Sequence, residues 1–231
     1  MGSLSVALLR EDHIIVGADR RHTRGDKEAN YKNDAGLKTL TILSGFGVLS
    51  FAGRDVGEQI LIPWKNKGHL DGTSLEIVAD NLRKESQARY KELVPSLDAP
   101  VEFLLAGFEP SSDGIAATSY RLLAPYFSLQ VAQFPYRKHD VIGRSNHGAL
   151  YALHRFGEQS QTVRSDLALA AFLMSEVSEC DTTVGGLELY VIRKGDKATR
   201  LDDGETARLV EWAAVAGTKV GDLILRGPDS H

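Results

Sequence analysis

Cysteine is almost missing from this chain: Cys180 is the only one in 231 residues. One cysteine excludes an internal disulfide framework and a cysteine-based zinc site. It fits a reducing compartment, and a cytoplasmic location is the expectation. A basic excess is missing too. The 27 Lys and Arg are outnumbered by 31 Asp and Glu, the net charge is −4 and the pI is near 6.0. No electrostatic footprint for nucleic acid or an anionic membrane results, and neither is expected as a partner. No apolar run reaches the length of a membrane span, and the start lacks a basic segment followed by an apolar one. Met1-Gly2 does not open a myristoylation signal, because Val6 stands where Ser or Thr is needed. Repeats and low-complexity linkers are also lacking, so one domain over 1–231 is the expected organisation. What remains is 42% hydrophobic and 25% charged, a composition and length that support a substantial buried core.

The patterning alternates strands and helices. Two strands, from Ser3 to Arg10 and from Ile14 to Arg21, turn at Glu11-Asp12-His13. A polar stretch from His22 to Gly36 carries no predicted element. A second hairpin runs from Leu37 to Leu43 and from Gly47 to Gly53, and its run Val48 to Ala52 suits a strand covered on both faces. A helix is predicted from near Asp55 toward Lys67, kinked or interrupted at Pro63. The next has capping-box spacing at Thr73 and Glu76, with Leu75, Val78, Ala79, Leu82, Tyr90 and Leu93 on one face. Strands follow from Val101 to Phe108, from Ile115 to Leu122, and from Ser128 past Pro135 to Ile142. Two helices come next, from Asn146 to Phe156 and from Arg164 to Cys180. Two strands, from Gly186 to Arg193 and from Ala198 to Leu201, precede a helix from about Gly204 to Ala216 with Leu209, Trp212 and Ala213 inward. Asp222 to His231 reads as a short strand and a tail. Two antiparallel sheets packed face to face, each covered by helices outside, satisfy every apolar face. The predicted fold is therefore α+β, a four-layer αββα sandwich.

The chemistry centres on Ser3. Removing Met1 and Gly2 places a hydroxyl and a free α-amine on one residue. A serine hydroxyl is a weak nucleophile without a base. An α-amine titrates at about 7.7–8.0, so it supplies that base near neutral pH. A neighbouring lysine lowers the amine's pKa by like-charge repulsion and stabilises the alkoxide. A carboxylate beside it keeps the lysine charged. Lys38 and Asp19, each at the end of a predicted strand, are the candidates. Gly53 ends the fourth strand and offers a backbone N–H to an oxyanion.

These residues resemble the proteasome β-type subunits, including bacterial relatives that work with ATPase unfoldases. The matching pieces are Gly17-Ala18-Asp19-Arg20-Arg21, Thr23 with Gly25, Lys38, Phe51-Ala52-Gly53, and Asp181 followed by Gly185-Gly186. They are spread over nearly the whole chain. The resemblance implies an N-terminal-nucleophile hydrolase fold in which Ser3 takes the place of the family's threonine nucleophile. Asp19 and Lys38 match its activating pair, Arg21 the arginine after the aspartate, and Gly53 the oxyanion-hole glycine. Asp181 matches the aspartate that supports the amine, Ser145 the nearby serine, and Gly2 the glycine before the self-cleavage site. His22, Gly36, Leu40, Phe51 and Asp55 match the pocket for the side chain before the scissile bond. The resemblance further implies peptide-bond hydrolysis without metal or organic cofactor, a homo-oligomeric ring, unfolded polypeptide or peptide substrates, and an ATPase unfoldase as partner.

Other readings of the same residues stand beside this one. Asp19 and Lys38 also suit a structural ion pair, and Gly53, Asp181 and Gly185-Gly186 suit turns. Gly143-Arg144-Ser145-Asn146-His147 resembles a nucleophile elbow, but His147 replaces its last glycine. His147 and His154 share a helical face, with no acidic residue to complete a metal site. The alternatives to a peptidase are a catalytically inactive proteasome-like ring used for structure or binding, and a small-molecule amidohydrolase.

Overall fold

The computed structural model describes residues 3–20, 22–24, 31–33, 38–53, 56–71, 73–143, 146–159, 161–180 and 184–226. Continuous apolar runs become strands buried on both faces, as two covering layers require. β1 (Ser5–Leu9) and β2 (His13–Asp19) are buried throughout and pair antiparallel, with Ser5 opposite Ala18 and Leu9 opposite Ile14. β3 (His22–Arg24) and β4 (Tyr31–Asn33) form a separate two-stranded ribbon within the polar stretch that carried no predicted element. β5 (Thr39–Ile42) and β6 (Gly47–Gly53) make the second hairpin around a 3-10 turn at Leu43–Gly45.

α1 (Val56–Asn66) contains Pro63 and runs through it, so of the expected kink or interruption the interruption does not occur. Proline removes one backbone donor. The buried side chains of Ile60, Leu61 and Trp64 hold the turns on either side. α2 (Leu75–Leu93) is capped by Ser74 rather than Thr73: Ser74 Oγ accepts the N–H of Ile77 at 3.2 Å. The Glu76 N–H donates instead to Glu109 Oε1, at 2.9 Å, so a sheet residue completes the cap.

β7 (Val101–Ser111), β8 (Gly114–Leu123) and β9 (Ser128–Gln133) extend the second hairpin into a sheet of order β5-β6-β7-β8-β9. β10 (His139–Ile142) is not a continuation of β9. It pairs with β1 in the opposite sheet, so the strand predicted to pass through Pro135 is two strands in two layers. Proline cannot donate to a ladder, and the chain changes sheets where it stands. After α3 (Asn146–Phe156) and α4 (Val163–Cys180), β11 (Leu187–Arg193) pairs with β2, and β12 (Thr199–Arg200) closes that sheet in the order β10-β1-β2-β11-β12. α5 (Asp203–Arg226) runs well past Ala216 and takes up 222–226, which were expected to form a strand. Trp212 is 51% exposed, against the expectation that it faces inward, whereas Ala213 is fully buried and Leu209 packs on the core.

Three apolar clusters fill the spaces between four layers. One joins α3, α4 and α5 to the β1 sheet through Leu4, Leu8, Leu153, Leu173 and Leu189. A second joins α1 and α2 to the β6 sheet through Trp64, Leu82, Tyr90 and Phe103. The third lies between the sheets and is made of smaller residues such as Ala7, Val16, Val48, Ala52 and Ala106. The molecule is the mixed α+β, four-layer sandwich that the patterning predicts.

Among the described residues, buried polar pairs cross the seam between the sheets, including the following three. Ser5 Oγ meets Ser50 Oγ at 2.7 Å, Thr39 Oγ1 donates to Glu188 Oε2 at 2.5 Å, and Ser119 Oγ donates to Asp140 Oδ2 at 3.2 Å. In an apolar layer, paired polar groups fix register more than they add stability.

Candidate active site

Ser3 lies just before β1 and is 5% exposed. Its neighbour Leu4 is locked to the end of β2 by two bonds: the Asp19 N–H donates to the Leu4 carbonyl at 3.0 Å, and the Leu4 N–H donates to Asp19 Oδ1 at 2.9 Å. The antiparallel pairing of β1 with β2 thus brings the aspartate beside the serine.

Lys38 comes from the other sheet. It precedes β5, and its carbonyl accepts the N–H of Phe51 on β6 at 3.2 Å. Its ammonium donates to Asp19 Oδ2 at 2.7 Å and to Ser3 Oγ at 3.0 Å. Lys38 is 4% exposed and Asp19 is fully buried. A buried cation needs a buried counter-charge, which Asp19 supplies. The remaining consequence is chemical: an ammonium held against a hydroxyl oxygen favours the alkoxide, most strongly where water is excluded.

Gly143 is a part of this site that sequence reasoning set aside. It adopts a φ of +114°, and a Cβ placed on it would stand 1.8 Å from the Ser3 carbonyl oxygen. Only glycine permits that approach. The available signal was a glycine directly after the apolar end of a strand, at Val141-Ile142. Its N–H donates to Glu102 Oε2 at 3.1 Å. Gly53 ends β6 with a φ of +128°, and a Cβ there would meet the Pro100 carbonyl oxygen at 2.4 Å.

Leu40 and Phe51 pack in the layer between their sheet and α1 and α2. Leu40 is half-buried and Phe51 is buried, its ring lying against Gly57 of α1 and 6.4 Å from Phe103. Arg21, Gly36, Asp55, Ser145 and Asp181 lie outside the described residues, as does the side chain of His22, whose backbone belongs to β3. The structure therefore brings Ser3, Asp19 and Lys38 together, with Gly143 behind them.

Among the described residues there is no group of three or more His, Cys, Asp or Glu suited to a metal. His154 instead stands edge-on to His139, with ring centroids 5.4 Å apart. Burial, and then the neighbouring His154, push His139 down to about 4, so it is neutral at pH 7. No helix among the described residues is long and apolar enough to cross a membrane.

No protein-family model matches the chain, and no curated protein matches it in sequence. Solved structures do match. Anbu (ancestral beta-subunit) from Yersinia bercovieri superposes with a TM-score of 0.78 at 13% identity, over 99% of this chain and 99% of that one. An Anbu (Gly-1) mutant from Hyphomicrobium sp. strain MC1 superposes with a TM-score of 0.71 at 15% identity, over 96% of this chain and 97% of that one. The expected place among the proteasome β-type subunits is corrected by these neighbours, which are proteasome-related but form the distinct Anbu family. The pieces that carried the resemblance, Asp19, Lys38 and Gly53, sit at strand ends where the sandwich itself places them, so they mark the fold and not one branch within it. At these identities the likeness establishes architecture: the chain has the proteasome-related, N-terminal-nucleophile type of fold.

Proposed function

We propose that this protein is an N-terminal-nucleophile peptidase of serine type. Met1 and Gly2 are removed, by self-cleavage at Gly2-Ser3, and Ser3 becomes the first residue. Its α-amine, directly or through water, takes the proton from Oγ as Oγ attacks the scissile carbonyl. Lys38 stabilises the charge on Oγ while Asp19 holds the ammonium in place. The Gly53 N–H donates to the oxyanion of the tetrahedral intermediate. Collapse expels the leaving amine with the proton and leaves an acyl ester on Ser3. Water, deprotonated by the same amine, hydrolyses the ester and regenerates the hydroxyl. Asp181 is assigned to support of the amine, Arg21 and Ser145 to the catalytic set around it, and His22, Gly36, Leu40, Phe51 and Asp55 to the substrate side-chain pocket. The whole chain is one domain, and copies of it form a cytoplasmic ring supplied with unfolded polypeptide by an ATPase unfoldase.

The observation that carries this reading is the contact of the Lys38 ammonium with Ser3 Oγ, at 3.0 Å. A lysine serving only as a structural counter-ion for Asp19 has no need of the hydroxyl. The test is intact mass spectrometry of the wild type and of Ser3→Ala. Ordinary methionine removal stops at Gly2. A wild-type chain beginning at Ser3, with Gly2 retained in Ser3→Ala, supports self-processing. Retention of Gly2 in both chains overturns it.

A further inference from the structure

The three site residues come from two sheets, so the spacing of the sheets sets the reacting distance. Ser3 and Asp19 belong to the β1–β2 hairpin, and Lys38 to the β5–β6 hairpin. The strand registers identify what lies one residue deeper. In the first sheet Ser5 and Glu188 flank Ala18 of β2, the residue before Asp19. In the second, Thr39, the residue after Lys38, is opposite Ser50. Two of the polar pairs that cross the seam, Ser5 with Ser50 and Glu188 with Thr39, are made by these rows.

The Glu188 pair is the more demanding of the two. Its carboxylate is 1% exposed, beside a largely apolar layer that includes Val16, Val48, Ile192 and Tyr190. Burying a carboxylate is costly unless its oxygens are bonded. Here Oε2 accepts from Thr39 at 2.5 Å, while Oε1 accepts from Arg200 Nε at 2.9 Å and from the Tyr190 hydroxyl at 3.4 Å. Arg200 is held in turn by Asp203, at 2.8 Å. A well-fitted apolar pair at Thr39 and Glu188 would serve stability as well or better. What the hydrogen-bonded pair adds is a fixed separation between the strand next to Asp19 and the residue next to Lys38.

We propose that Thr39 and Glu188 are positioning residues that set the distance from Lys38 to Ser3 by tying the two sheets together directly beneath the site. The inference rests on the Ser3 reading for its effect on chemistry, but not for its effect on Lys38 itself. The third seam pair, Ser119 with Asp140, joins β8 to β10 and serves as the control, since it ties the same two sheets through other strands.

The experiment compares wild type, Thr39→Val, Thr39→Ser and Ser119→Ala by two readouts. The first is the rate of Ser3 acylation by a peptide β-lactone, separated into saturating rate and apparent affinity. The second is the NMR titration of the Lys38 ε-methylene in protein carrying [ε-13C]lysine, assigned with Lys38→Arg. Thr39→Val is expected to lower the saturating rate about tenfold to a hundredfold, the scale of an ångström-sized misplacement, with little change in affinity. It is also expected to shift the Lys38 resonance and its titration. Thr39→Ser is expected to restore both, and Ser119→Ala to lower the melting temperature while leaving both unchanged. A Lys38 titration that is the same in Thr39→Val and wild type overturns the proposal. So does an equal disturbance in Ser119→Ala. If the wild type is not acylated at Ser3, the peptidase reading fails, and the Lys38 resonance alone decides for or against positioning. Should Thr39→Val not fold, Thr39→Ala carries the test with the same expected and overturning outcomes, because it also removes the hydroxyl that donates to Glu188.

Discussion

The ammonium of Lys38 touches Ser3 Oγ at 3.0 Å although the two residues belong to opposite sheets of the sandwich. Neither hairpin alone contains a site. Packing the sheets makes one, and it places a fixed cation beside a hydroxyl with Asp19 as the counter-charge.

Replacing Lys38 by Met therefore has two separable effects. Acylation of Ser3 by a peptide β-lactone is expected to fall at least a hundredfold, because the alkoxide loses its cation. Stability is expected to fall by up to about 3–5 kcal/mol, because the buried ion pair with Asp19 is broken. Urea denaturation reads the second effect and labelling below the transition reads the first. Unchanged labelling in a folded Lys38→Met would assign Lys38 a structural role only.

Gly143→Ala tests the wall behind Ser3. Its φ of +114° and the 1.8 Å approach to the Ser3 carbonyl leave no room for a methyl group. A backbone shift of the β1 start is expected, with about 1–3 kcal/mol of strain and loss of Ser3 labelling. Melting temperature and labelling rate check this together; a folded variant labelled at the wild-type rate contradicts it.

A pH dependence follows from a second buried cluster, at the far end of the same hairpin. His13 is 1% exposed, with Nδ1 2.6 Å from Asp12 and Nε2 2.9 Å from Asp166. Asp166 also takes Arg10, at 2.6 Å. Burial pushes His13 down, but the hydrogen bonds to Asp166 and Asp12 outweigh it and raise its pKa above the ordinary imidazole value. The folded state therefore holds the proton more tightly than the unfolded one. Its contribution is full below an unfolded value of about 6.5 and is lost as pH rises through the folded value. Melting temperatures from pH 5 to 9 are expected to fall across that interval in wild type and to lose this component in His13→Gln. An identical pH profile in the two chains contradicts the assignment.

The legible part of the molecule was whatever local patterning determines. Unbroken apolar runs identified β1, β2 and β6, and helical spacing identified the inner face of α2. Asp19 and Lys38 stood out as a carboxylate and an amine at the ends of predicted strands, where they could serve Ser3. Long-range choices were hidden. Nothing local at Pro135 says that the chain changes sheets there. Glu188, between Leu187 and Leu189, reads as an alternating surface position until β5 is packed over it. Thr73 has the capping-box spacing by sequence, yet Ser74 caps α2, and Glu109, far along the chain, accepts the Glu76 N–H that a Thr73 box would use. Trp212 looked like a core residue by hydropathy, yet α5 turns Leu209 and Ala213 inward and leaves it outside.

The most direct measurement is peptide mapping of the protein after treatment with the β-lactone. A nucleophile at Ser3 predicts a single acyl adduct, on Ser3, in a chain whose first residue is Ser3, and no adduct in Lys38→Met. A chain that begins at Ser3 yet carries no adduct, or an adduct on any other residue, would contradict it.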